Sequence, residues 1–253
     1  MQAGPDRQTT PSRAARRAAR ALAAWLALCV AAGLALSACS TVNPYHDPSR
    51  AHHRPDGFQN RHATFEPKGM LTVLQWQWDA ARNGRPAPPL APIPAVAPDL
   101  AFVQANARAG AAMEPAATWI GHATVLLQLG GLNVLTDPVF SERASPVPFA
   151  GPRRAQPPGL SLAQLPHIDL VLVSHDHYDH LDIATVTRLA AQPGGPPRFF
   201  AGLGTKQWFA QLGIDTVDEL DWWDAVDYKG VQFTFVPMQH WSKRSLWDAN
   251  RRL

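Results

Sequence analysis

A chain of 253 residues with 46% hydrophobic and 17% charged residues has room for one large core or two smaller ones. Its formal net charge of +3 comes from residues 1–39, where Arg7, Arg13, Arg16, Arg17 and Arg20 face Asp6 alone. The remainder holds 18 basic and 19 acidic residues, a near-neutral body that excludes nucleic-acid binding through a basic surface.

At the N-terminus the positive stretch ends at Arg20, and an apolar run of 16 residues, Ala21 to Leu36, follows. That run is short for a membrane-spanning helix and suits the core of an export signal. It closes on Leu36-Ser37-Ala38-Cys39, which resembles the lipobox of bacterial lipoproteins. The resemblance implies removal of residues 1–38 and lipid attachment at Cys39. Ser40 resembles a sorting signal for the outer membrane. The expectation is a protein of the bacterial cell envelope, anchored in membrane lipid on the periplasmic face of the outer membrane. Cys29 would leave with the signal peptide, so no thiol remains for a disulfide or a metal, and any metal falls to histidine and carboxylate.

Residues 39–56 are polar, with His46, His52 and His53, and read as a solvated tether. Residues 57–116 follow as an N-terminal helix and a strap. Leu71, Leu74, Trp78 and Ala81 share one face at helical spacing, which predicts a packed helix over 69–83. Pro86, Pro88, Pro89, Pro92, Pro94 and Pro98 then favour an extended strap.

The texture changes in the domain predicted over 117–253. Thr124 to Leu129 and Leu132 to Thr136, joined by Gly130-Gly131, predict a hairpin. Asp137-Pro138 ends its second strand, and a Pro-rich loop spans 146–158. Ile168 to Ser174 reads as a strand buried on both faces. A helix is predicted over 181–191, strands over 198–201 and 231–236, and a helix around 205–212. Strands alternating with helices predict an α/β layered fold.

The chemistry concentrates directly after the buried strand, in His175-Asp176-His177-Tyr178-Asp179-His180. Three imidazoles and two carboxylates in six residues are costly to desolvate, and the carboxyl end of a strand is where α/β folds present their chemistry. In an extended turn His175 and His177 point the same way and can grip one metal. Asp179 and His180 can serve a second one close by. Such a donor set suits zinc, manganese or iron.

This H-x-H-x-D-H pattern resembles the signature of the metallo-β-lactamase superfamily. Thr118-Trp119-Ile120-Gly121-His122-Ala123-Thr124, Thr136-Asp137-Pro138-Val139-Phe140 and Gly151-Pro152-Arg153-Arg154 resemble its N-acyl-phosphatidylethanolamine-hydrolysing phospholipase D family. So do Gly57-Phe58-Gln59-Asn60, Glu219-Leu220-Asp221-Trp222-Trp223 and His240-Trp241-Ser242-Lys243-Arg244.

The resemblance implies a four-layer αββα sandwich and two divalent metal ions, usually zinc. It places His175, His177 and His240 on the first metal and the catalytic pair Asp179 and His180 on the second. His122 and Asp137 are candidates to orient the ligand loop, with core hydrogen bonding as the alternative. Nothing is assigned to Asp176 or Tyr178. The implied activity is a phospholipase D-type phosphodiesterase acting on N-acylphosphatidylethanolamine-like lipids. The alternatives are a lactonase or small phosphodiesterase of the same fold, or an inactive lipoprotein. The family draws a bridging aspartate and a last histidine from a second αβ half. The 136 residues from Thr118 to Leu253 are too few for both halves, so the sandwich is expected to be truncated after its first half, with little activity by itself.

Overall fold

Gly130 and Gly131 adopt φ of 59° and 79°, left-handed values open to glycine at little cost, and they close the hairpin that the sequence predicts. The computed structural model describes residues 42–62, 68–84, 91, 93–245 and 247–253, and residues 43–253 form one compact unit. The signal peptide, Cys39, Pro86, Pro88, Pro89 and Pro92 lie outside the described residues.

In chain order the elements are β1 (His53–Arg54), β2 (Gly57–Phe58), α1 (Met70–Asn83), α2 (Leu100–Asn106), β3 (Ala116–Gly121), β4 (Thr124–Leu129) and β5 (Leu132–Thr136). There follow β6 (Leu170–Leu172), α3 (Ile183–Ala190), β7 (Arg198–Gly202), α4 (Lys206–Ala210), β8 (Val217–Leu220), β9 (Ala225–Tyr228) and β10 (Val231–Thr234). A six-stranded sheet runs β3-β4-β5-β6-β7-β8, antiparallel from β3 to β5 and parallel from β5 to β8. The strands β9 and β10 form a separate antiparallel ribbon, and β1 and β2 a minimal one.

Two-residue periodicity sorts the sheet's side chains onto two faces. Leu126, Leu135, Val171, Phe199 and Val217 cluster with Val103 of α2, Val186 and Leu189 of α3 and Phe209 of α4. Leu132, Val134, Leu170, Phe200 and Leu220 form the other cluster, covered by Val226, Val231 and Phe233 of the ribbon. The result is the α/β class expected. Of the four implied αββα layers, the described residues form a helical layer, the mixed sheet and a two-stranded ribbon.

Asp99 and Asp182 cap α2 and α3 by accepting from the backbone N–H of Phe102 (2.9 Å) and Ala184 (3.2 Å). Helix α1 forms where its spacing predicts, but its apolar face is not packed as expected. Leu71 is 83% exposed, Leu74 57% and Trp78 65%. Spacing decides which side of a helix is apolar, whereas burial needs a partner surface that spacing does not specify.

The solvated tether is also corrected from Asn43 onward. Asn43 is buried and donates to the Gly57 carbonyl at 2.8 Å, while Phe58 N–H donates to the Asn250 carbonyl at 2.7 Å. A Cβ at Gly57 would meet that Asn250 oxygen at 2.2 Å, so glycine there is what lets the two backbones touch. His46 stays exposed, but His52 and His53 turn inward onto Asp221.

Candidate metal centre

Strand β6 delivers the chain at Ser174 to the carboxyl edge of the sheet. The backbone then turns, with the N–H groups of His180 and Leu181 both donating to the His177 carbonyl at 3.0 and 2.8 Å. The neighbouring strand β5 ends at Asp137, which has a positive φ of 36°. Its carboxylate accepts from Ser174 N–H and Oγ–H, each at 2.7 Å, and meets His180 Nδ1 at 2.9 Å. A single buried carboxylate thus aligns the entry and exit of the histidine loop, with Asp137 only 7% exposed. His122, at φ 51°, sits on the turn between β3 and β4. Non-glycine residues held at positive φ concentrate at functional sites.

Three imidazoles converge. His177 Nδ1 lies 3.0 Å from His175 Nε2 and 3.1 Å from His240 Nε2. A ring nitrogen carries one proton or one in-plane lone pair, so His177 Nδ1 cannot make both contacts well. A cation shared by the three nitrogens resolves that crowding. His177 Nε2 is shielded and has no hydrogen-bond partner among the described residues. Burial, followed by the neighbouring imidazoles of His180, His177 and His240, pushes His175 down to about 2. His177 and His240 are also lowered, in both cases chiefly by burial. These rings are neutral, as ligands must be.

A second cluster lies beside the first. Asp179 Oδ2 is 3.0 Å from His122 Nε2 and 3.7 Å from His180 Nε2. The ligand atoms of His122, Asp179 and His180 fall within 4.8 Å of one another, as do those of His175, His177 and His240. His122, for which the sequence offers loop orientation or core hydrogen bonding, lies here among the donors of the second cluster, while Asp137 holds the loop through Ser174 and His180. Burial pulls His180 down, but the hydrogen bond and charge of Asp137, together with Asp179, leave it above the usual histidine value. Three imidazoles in the first cluster, and two imidazoles with a carboxylate in the second, are donor sets that fit a divalent cation.

The trio of His52, His53 and Asp221 has comparable spacing but different chemistry. His53 Nδ1 accepts the Asp47 N–H at 3.1 Å, so the ring proton sits on Nε2 and points at Asp221, 2.9 Å away. His52 Nε2 reaches the other carboxylate oxygen at 2.6 Å and its ring stacks on Trp222, while the Arg50 guanidinium already pairs with Asp221. Proton and guanidinium take the places a cation would need, making the trio a clamp.

Asp176 and Tyr178, assigned nothing from the sequence, hold the loop to the chain beyond His240. Asp176 is fully buried and accepts from Lys243 N–H (2.9 Å) and Arg252 Nη1 (2.8 Å). Arg244 donates to the carbonyls of Asp176 (2.6 Å) and Leu181 (2.7 Å) and lies over the rings of Tyr178 and Trp208. Tyr178 Oη donates to the Arg244 carbonyl at 2.8 Å. The legible hint was an acid inside the loop and three cations, Lys243, Arg244 and Arg252, within a short downstream stretch. Asn60 accepts the His240 N–H at 3.0 Å, tying the N-terminal segment to the same centre.

Two histidine-rich donor clusters at the carboxyl edge of a mixed sheet layered with helices define a metal-binding centre of an α/β protein. Residues 132–252 match the β-lactamase superfamily domain. The chain is 43% identical over 146 residues to N-acyl-phosphatidylethanolamine-hydrolyzing phospholipase D 1 of Caenorhabditis elegans, covering 54% of this chain and 41% of that one. It is 33% identical over 140 residues to the mitochondrial N-acyl-phosphatidylethanolamine-hydrolyzing phospholipase D of Saccharomyces cerevisiae, covering 54% and 29%. A UPF0173 metal-dependent hydrolase of Methanopyrus kandleri is 31% identical over 127 residues, covering 50% and 47%. The chain therefore spans less than half the length of each of these relatives.

Proposed function

We propose that the protein is a metal-dependent phosphodiesterase of phospholipase D type, acting on N-acylphosphatidylethanolamine-like lipids and using two divalent ions, zinc by preference. The observation that carries this reading is the pair of adjoining donor clusters, His175–His177–His240 and His122–Asp179–His180. Its support for the substrate is the likeness to the two phospholipase D relatives. Divalent ions held there supply a water acidified toward a pKa of about 7 and stabilise negative charge that develops at phosphorus. Asp137 keeps the His180 ring and Ser174 fixed, so the second cluster presents its free nitrogen without reorganisation. Asp176, Arg252 and Arg244 hold the His240 side of the site against the loop. An apolar cavity of about 510 Å³, lined by Phe58, Phe200, Trp222 and Phe235, reaches His175 and His240 and suits an acyl chain.

The same reading includes lipid attachment at Cys39 and a place on the periplasmic face of the outer membrane, beside its substrate. The test is release of phosphatidic acid from N-acylphosphatidylethanolamine vesicles by the metal-loaded protein, with chelation abolishing it. Hydrolysis of lactones or small phosphodiesters but not of the vesicles would instead favour another hydrolase of the same fold. Lipidation is tested by labelled fatty acid, which the wild type should incorporate and Cys39→Ala should not.

A further inference from the structure

The buried side-chain nitrogens without a hydrogen-bond partner include Arg154 Nε and Nη1. The third, Nη2, has one long contact, 3.4 Å to the Val139 carbonyl, and lies over Gly121, the residue before His122. A guanidinium presents five N–H donors in a rigid fork, so leaving most of them unmet while shielded from water is costly. The nearest offsetting charge, Asp182, has its oxygens taken by Ala184, Phe140, Ser141 and Thr185, and burial lowers the Arg154 pKa. Arg153 next to it is already paired with Glu142. Among the described residues, Arg154 therefore has only the long Val139 contact and the charge of Asp182 to offset it.

Its location says what could use it. Arg154 lines a cleft of about 600 Å³ whose other walls include His122, His177, Tyr178, Asp179 and Trp241. The metal donors and Arg154 thus line one space, and a planar guanidinium is the group best matched to a phosphate's unesterified oxygens.

We propose that Arg154 is the anion-recognition residue of this cleft, its guanidinium binding an unesterified phosphodiester oxygen while the ester lies over His177 and Asp179. The assignment rests on reading the protein as a phosphodiesterase. In a cleft partly shielded from water the guanidinium charge also draws anions in, while neutral esters gain no comparable attraction. An arginine kept for binding costs stability rather than supplying it.

The experiment compares metal-loaded wild type with Arg154→Met and Arg154→Lys, measuring metal content, Tm, steady-state phosphodiester kinetics and binding of inorganic phosphate by calorimetry. Arg154→Met should keep its metal and its Tm, or gain in Tm, while KM rises and phosphate affinity falls by about ten- to a hundred-fold. Its kcat should change far less than its KM. Arg154→Lys should recover part of the loss, keeping the charge without the fork. Unchanged KM and phosphate affinity in Arg154→Met, or a lowered Tm without either, would mark a structural arginine and overturn the proposal. If the wild type hydrolyses no phosphodiester, the functional reading fails on its own, and the phosphate titration still decides whether Arg154 binds the anion.

Discussion

His175 and His177 lie at the centre of the imidazole cluster, so His175→Ala or His177→Ala should each remove the tighter-bound metal. Elemental analysis after dialysis checks this, and retained stoichiometry would sink the ligand assignment. Asp179→Asn should act on the second cluster, weakening a metal there while the three-histidine cluster keeps its ion. Asp137 contacts no metal donor except His180, so Asp137→Asn should lower affinity at the second cluster by about ten- to a hundred-fold without unfolding the domain. The titration directions order the two clusters. His175, His177 and His240 are lowered and shed their protons early, whereas His180 is raised and holds its proton longer. On acidification, protons should therefore displace metal from the cluster of His122, Asp179 and His180 first. Loss in the opposite order on a pH series would contradict the assigned environments.

At the scale of elements, two clamps join distant pieces of chain. Asp176 binds the histidine loop to the segment carrying Lys243, Arg244 and Arg252, and it is wholly buried. Removing it in Asp176→Ala leaves Arg252 with Asp248 alone and the Lys243 N–H without its acceptor, a cost of about 1–3 kcal/mol read from denaturant unfolding. Asp221 binds residues 50–53 to the end of β8. Burial acts to raise its pKa, but the His52 hydrogen bond, the Trp222 N–H and the charges of His52 and His53 together leave it below the usual carboxylate value. A depressed carboxylate contributes stability that is complete above its unfolded pKa of about 3.9 and is lost as pH falls through the folded value. Asp248, paired with Arg252, is lowered as well and has the same sign. Stability should therefore hold through neutral pH and fall below about pH 4, and Asp221→Asn should flatten part of that acid slope. An unchanged slope in Asp221→Asn would remove the clamp from the account.

Across the whole molecule, one mixed sheet carries two apolar faces. Phe199 is fully buried on the helical side, against Phe209, with ring centroids 5.0 Å apart. Phe199→Ala should cost about 3–5 kcal/mol and lower Tm without altering metal affinity in the folded fraction. A selective loss of metal at unchanged Tm would mean that the core and the site are coupled more tightly than packing alone requires.

Much of this sheet was legible because local rules suffice for it. Glycines mark the hairpin between β4 and β5, a buried strand reads as an unbroken apolar run, and Asp182 caps α3 by a short-range bond. The edge strand β3 escaped because it buries only Ile120 fully, and the strand β8 because its burial does not alternate. Asp218 in β8 is answered by Arg198 in β7, a pairing across strands that no window of sequence contains. Helix α2 was missed although Pro98-Asp99 is a start signal, because a seven-residue helix offers little periodicity. At the site, the closeness of His175, His177, Asp179 and His180 was readable from their spacing, since a strand-to-helix turn brings neighbours in sequence to one point. The tertiary structure alone decided that His122 joins them from 57 residues away, that Asp176 is a buried anchor, and that His52 and His53 close on Asp221. Contacts of that kind depend on which strand ends lie side by side, and strand order follows from the packing of the whole sheet.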